Sequence, residues 1–164
     1  MAEATSGDGD VTAGDRTDAL IEALATDGYA VAEGFIPPLL VAGLIDAVRA
    51  REAAGGMALA AIGRSGARTM QHEVRQVAAA WLDGRNQAET EFLALAEAMR
   101  RAINRRLYLG LFEFEAQFLT YAPGGFYRRH LDSLAGSRNR IVSMVSYLNP
   151  DWRPEHGREL DVWR

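Results

Sequence analysis

The chain has 164 residues, 48% hydrophobic and 24% charged, with no cysteine and a formal net charge of -4. That length fits one domain able to bury about 68–70% of the surface its unfolded form exposes, and the composition is that of a globular protein rather than a disordered or membrane one. Five acids (Glu3, Asp8, Asp10, Asp15, Asp18) and one base (Arg16) place the whole net charge in residues 1–18. The remainder balances at zero and offers no overall field for gathering nucleic acid.

All 18 basic residues are arginine, which no physical requirement explains. The lack of cysteine rules out disulfides and thiolate metal sites and suits a reducing compartment. The start, "MAEATSGDGD", is acidic and small, unlike a signal or transit peptide. No apolar run approaches the ~18 residues needed to cross a bilayer. A cytoplasmic protein with no membrane or nucleic-acid partner is expected.

In chain order, residues 1–16 read as a disordered acidic tail, and 17–164 as one domain. Its "GDGDVTAG" lacks the preceding strand and the glycine spacing of a dinucleotide-binding turn. From Asp15 or Thr17 as cap, "DALIEALATDG" predicts a short helix, and "YAVAEGF" a strand. Pro37 and Pro38 suit a helix start, and Leu40, Val41, Leu44, Ile45 and Val48 repeat at helical spacing toward Gly55. The following glycine-punctuated stretch predicts loops with short strands. From Ala88, a stripe of Phe92, Leu95, Ala96, Met99, Ile103 and Leu107 predicts a long helix backing a sheet. The period then changes to two. Phe112, Phe114, Ala116 and Phe118 alternate with Glu113, Glu115 and Gln117, as in a strand with one buried face, and "RIVSMVSYLN" predicts a second long strand. Helices followed by strands predict an α+β domain with mainly antiparallel pairing.

The chemistry centres on "YAPGGFYRRHLD". Alternate strand residues share a face, so His130 and Asp132 would present an imidazole and a carboxylate together. These are two thirds of the 2-His-1-carboxylate set that non-haem Fe(II) oxygenases use, a set that leaves positions open for cosubstrate and oxygen. By itself the tripeptide is a pattern that chance supplies often, and it reads first as a surface histidine beside a capping or turn aspartate. Gly124 and Gly125 permit a tight turn before the expected ligand strand.

"YAPGGFYRRHLD", a polar loop with Arg140, and then "YLNPDW" resemble the prolyl 4-hydroxylase-like 2-oxoglutarate/Fe(II) dioxygenases, especially the bacterial branch akin to the hypoxia-type prolyl hydroxylases. The resemblance extends upstream through "LYLGLFEFEAQF" and "DGYAVAEGFIPPLL". It implies a double-stranded β-helix, a jelly roll with helices packed on one sheet. It further implies that His130 and Asp132 are iron ligands, that Tyr121 and Tyr147 line the 2-oxoglutarate pocket, and that Arg129 and Arg140 lie near the peptide entrance. The implied cofactors are Fe(II), 2-oxoglutarate as cosubstrate and ascorbate as reductant. The implied reaction hydroxylates a prolyl residue in a protein or peptide while 2-oxoglutarate becomes succinate and carbon dioxide.

The sequence departs from that pattern in four ways. The family's second ligand histidine, some tens of residues after the H-x-D pair, has no match here, and neither does the Arg or Lys that pairs with 2-oxoglutarate. "HGREL" also places Arg158 where the family has glycine. The closing strands of the jelly roll, expected after Trp163, are likewise unmatched, as in a truncated product or a fragment. Two other readings stay open: a non-catalytic jelly-roll module that binds a peptide or partner, and a zinc hydrolase built on His130, Asp132 and His156. The remaining histidine, His72, reads as a solvent-facing residue.

Overall fold

A computed structural model describes residues 13–59, 77–130, 140–157 and 160–162. Helices α1 (Ala13–Asp27) and α2 (Pro38–Ala53) precede strands β1 (Ala58–Leu59) and β2 (Ala78–Trp81); helix α3 (Gln87–Leu107), strand β3 (Gln117–Thr120) and a 3-10 turn (Pro154–His156) follow. The strands form an antiparallel sheet in the order β1-β2-β3. No described helix is long and apolar enough to cross a membrane.

Each helix starts for a local reason. Helix α1 begins at Ala13, four residues before Thr17, with Asp15 in its first turn, where a carboxylate complements the helix dipole. Pro37 and Pro38 begin α2, where a missing N–H is no loss, and Val41 N donates to Pro37 O at 3.0 Å. Asn86 caps α3: its side chain accepts from Glu89 N at 2.9 Å and donates through Nδ2 to Glu89 Oε1 at 2.9 Å. This is a side-chain variant of the capping box, with Glu in the third helical position.

The expected apolar stripes are the ones that pack. Leu40, Leu44 and Ala47 of α2 join Phe92 of α3 and Phe118 of β3 in one cluster; Ile21 of α1 joins Ala102 and Ile103 of α3 in another. Helices α2 and α3 approach so closely that a Cβ on Gly43 would lie 2.8 Å from that of Ala88. The end of α3 is tied to the chain that follows it. Asn104 donates to Leu111 O at 2.7 Å and accepts from Leu111 N at 2.8 Å, and Arg100 also donates to Leu111 O.

Between the clusters and the sheet lies a buried charge. Glu89 is fully buried and accepts from Arg51 at 2.6 and 2.7 Å, and from the backbone amides of Asp83, Gly84 and Arg85 at 3.2, 3.2 and 3.4 Å. Arg51 reaches on to Asp83 at 3.0 Å and lies 5.6 Å from the centre of the Phe118 ring. One carboxylate thus joins the end of α2, the β2–α3 loop, the start of α3 and, through Arg51, strand β3.

Three strand expectations change. Residues 29–35 form no strand, and Val31 is 82% exposed. Residues 140–149 form none either. In both, β-branched residues suit a pleated surface, but nothing among the described residues supplies a ladder. Of the strand expected in "LFEFEAQFLTY", residues 111–121, Gln117–Thr120 form the strand. Its inward parity holds at Ala116 and Phe118, with Glu113 and Glu115 exposed, but Phe112 is 91% and Phe114 39% exposed. The ladder with β2 ends where Leu82 N donates to Ala116 O, so among the described residues no strand pairs with the earlier ones to hold their register. Phe114 instead lines an open apolar cleft of about 500 Å³ with Trp81, Leu82 and Leu93.

Replacing Glu89 by Gln strands Arg51 with Asp83 as its remaining carboxylate. Breaking a buried pair typically costs about 3–5 kcal/mol, and the expected loss of unfolding free energy in urea is at the lower end of that range. Burial, the largest influence on the Glu89 carboxyl, pushes its pKa up, but the Arg51 hydrogen bonds and charge and the loop amides outweigh it and hold the group below its ordinary value. A depressed carboxyl contributes stability above its unfolded pKa and loses it as pH falls through the folded value. The urea midpoint of the wild type is therefore expected to drop on acidification below the ordinary carboxylate range, and that of Glu89→Gln to drop less steeply.

Candidate metal and cosubstrate site

Strand β3 delivers the chain to the quoted motif. Immediately after it, Tyr121 is half-buried, and Ala122, Pro123, Gly124 and Gly125 form a β-turn closed by Gly125 N donating to Ala122 O at 2.8 Å. Proline in the second position and glycine in the third, with φ of +78°, define a type II turn. A Cβ on Gly124 would meet nothing within 4 Å, so the backbone conformation alone requires glycine there.

Beyond the turn, Phe126 to His130 make a local cluster. The Arg128 guanidinium lies 5.1 Å from the centre of the Phe126 ring. The His130 imidazole stacks on Tyr127, with ring centroids 3.8 Å apart and planes 8° from parallel. Its Nδ1 is 2.9 Å from Arg128 O. A carbonyl only accepts, so Nδ1 is the donor in this contact. His130 is exposed, and it is not on the expected strand: residues 126–130 have a single bridge residue, Tyr127, because no described strand runs beside them.

The other expected site residues are dispersed or lie outside what is described. Asp132 and His72 belong to the segments that are not described, as does Arg158. Arg129 and Arg140 are exposed. Tyr147 is 54% exposed and Val145 likewise, whereas Val142 and Leu148 pack against the two core clusters. Ser143, Val145 and Tyr147, which alternate along this stretch, are all exposed. His156 is engaged in its own turn, where Nδ1 accepts from Arg153 N at 3.2 Å, and Trp152 Nε1 donates to Gly157 O at 2.9 Å across the same loop. Among the described residues no three His, Asp or Glu side chains gather as a metal site; the zinc-hydrolase reading also needs Asp132, which lies outside them.

Residues 116–164, which contain every one of these candidates except His72, match the 2OG-Fe(II) oxygenase superfamily. The crystal structure of a Pseudomonas putida prolyl-4-hydroxylase is similar to the chain at 37% sequence identity and a TM-score of 0.72, covering 84% of this chain and 70% of that one. The chain belongs to the prolyl 4-hydroxylase-like 2-oxoglutarate/Fe(II) oxygenases. No curated protein matches it.

Membership of the family implies a jelly-roll fold and a site for Fe(II) and 2-oxoglutarate. Against a complete jelly roll of eight strands, the described residues form three strands in one sheet. The donor chemistry of the motif suits iron: a ligating histidine usually donates its other ring nitrogen to a carbonyl or carboxylate, and Nδ1 of His130 lies 2.9 Å from Arg128 O. The described residues contribute that one donor and do not by themselves make a holding set. Sequence reading missed the Tyr127 stack, although the three-residue spacing of Tyr127 and His130 was in plain view. It also missed the Arg51–Glu89 pair, for which Asn86-x-x-Glu89 was the available signal.

The turn makes its own prediction. Gly124→Ala puts a side chain at a left-handed φ, which costs about 1–2 kcal/mol. Urea denaturation is expected to show that loss, with no steric contribution because the space around Gly124 is open.

Proposed function

We propose that the chain is a 2-oxoglutarate- and Fe(II)-dependent dioxygenase domain whose substrate is a prolyl residue in a protein or peptide. The observation that carries this reading is the likeness to a prolyl-4-hydroxylase at 37% identity over 84% of the chain, joined to an H-x-D pair inside the matched residues 116–164. In this reading His130 and Asp132 hold the iron, and Tyr121 and Tyr147 offer phenol groups to 2-oxoglutarate. Arg129 and Arg140 meet the peptide at the entrance. When bound, iron with 2-oxoglutarate and oxygen supplies the oxidising power to hydroxylate an unactivated C–H bond; ascorbate returns oxidised iron to Fe(II). The fold is a jelly roll whose closing strands are not among the 164 residues.

Competence of the 164 residues is a separate matter. They match two of the family's three ligands and lack its basic anchor for the cosubstrate. Loss even of a group that only orients a ligand costs about 10–100-fold in metal affinity or activity, and charge-assisted pairing of the 2-oxoglutarate carboxylate is lost as well. A second reading is a non-catalytic jelly-roll module that binds a peptide or partner. It would require binding of a proline-bearing peptide with neither iron nor 2-oxoglutarate present.

The test is succinate formation from 2-oxoglutarate with Fe(II), ascorbate and a proline-bearing peptide. Little or no turnover is expected from the 164 residues alone. A version extended with the family's closing strands, distal histidine and basic residue is expected to turn over, and to lose that activity on His130→Ala or Asp132→Ala. Robust iron-dependent turnover by the unextended chain would contradict the ligand count, and activity that survives His130→Ala would contradict the site.

A further inference from the structure

Charge is unevenly placed along the chain, and its sign reverses beside the H-x-D pair. The whole chain has a net charge of -4, yet residues 116–150 hold four arginines (Arg128, Arg129, Arg138 and Arg140) and one acid, Asp132. Asp132 is the carboxylate assigned to iron, which leaves that stretch no acid of its own to set against the arginines. Arg138 lies outside the described residues; Arg128, Arg129 and Arg140 are described, and all three are exposed.

Elsewhere arginines meet carboxylates of the same chain. Arg100 and Arg101 share Glu97, Arg85 reaches Asp83, and Arg106 reaches Asp18. The Arg128 guanidinium lies instead 5.1 Å from the centre of the Phe126 ring. A ring contact steadies a guanidinium while its charge and its planar fork of N–H donors stay available, and that fork matches a carboxylate. Phe126 is half-buried and directly follows the turn closed by Gly125 N on Ala122 O, so the ring and its guanidinium stand on backbone that leads straight from β3 and the core.

We propose that the peptide taken by this chain is acidic as well as proline-bearing, with carboxylates flanking the proline received by Arg128 and Arg129, and with Arg140 adding to the attraction. This rests on the reading of the chain as a prolyl hydroxylase-like domain, which already puts Arg129 and Arg140 at the peptide entrance; Arg128 and the acidic character of the peptide go beyond it. Opposite charge across such a contact speeds encounter and turns basic peptides away.

The test measures binding of fluorescent peptides to the whole chain by anisotropy, with Fe(II) and 2-oxoglutarate present and oxygen excluded. The peptides share one sequence around a single proline: one with Glu on both sides, one with Gln in the same places, and the Glu version with alanine for proline. The Glu peptide is expected to bind at least about tenfold more tightly than the Gln peptide. That advantage is expected to vanish near about 1 M salt, where charges are screened within about 3 Å. Arg128→Gln and Arg129→Gln are each expected to weaken the Glu peptide about threefold or more and to leave the Gln peptide unchanged. Arg105→Gln, at an exposed position on α3, is expected to change neither; an equal loss there would mean attraction by total charge alone and would overturn the assignment to Arg128 and Arg129. Circular dichroism checks that each variant keeps the fold, and the comparison of Glu with Gln peptides on the wild type needs no variant. Equal affinity for those two peptides, or binding of neither, would overturn the inference and leave the prolyl reading to stand or fall on succinate formation by the extended chain. A Glu peptide that binds as well with alanine as with proline would overturn the prolyl reading and this inference with it.

Discussion

The Glu89 carboxylate, with no exposure to solvent, is the constraint from which the described architecture follows. A buried charge is tolerated when paired and saturated with hydrogen bonds. Here the partners come from the end of α2, from three successive amides of the β2–α3 loop and from the cap of α3. Bringing these groups to one point sets how α2 crosses α3, which in turn brings Gly43 against Ala88. It also sets where Arg51 lies relative to Phe118, the β3 residue in the same apolar cluster. Strand β3 leads directly to the turn and to His130, so the route from the core to His130 is short and covalent.

The two halves of the molecule solve different problems. Residues up to β3 bury apolar stripes between helices and a three-stranded sheet, and every buried side-chain polar atom among the described residues has a partner. From residue 140 onward the described chain carries Ile141, Met144, Val145, Tyr147, Trp152, Leu160 and Val162, each at least 42% exposed. The stack and the carbonyl contact of His130 come from residues three and two positions before it in the chain.

What could be read from the sequence divides along physical lines. The stripes of α2 and α3 were legible because helical periodicity reports a buried face directly, and "APGG" was legible because a type II turn has strict residue demands. Strands at 29–35 and 140–149 were misread because alternation and β-branching describe a side-chain preference, whereas a strand exists only with a neighbour to pair with. The Arg51–Glu89 pair spans 38 residues, and no local pattern identifies Arg51 as its member. The family was legible from an ordered series of motifs, and residues 116–164 match it independently. The sequence could place His130 and Asp132 in one motif but could not show whether other donors join them in space.

The central claim, that His130 and Asp132 form the metal-holding pair of these 164 residues, is most directly tested by X-ray absorption at the iron edge on the anaerobic Fe(II)-loaded chain. The expected first shell is one imidazole with oxygen donors, and the imidazole contribution should vanish in His130→Asn while persisting in His156→Asn. Two or more imidazoles, or a shell unchanged by His130→Asn, would contradict it.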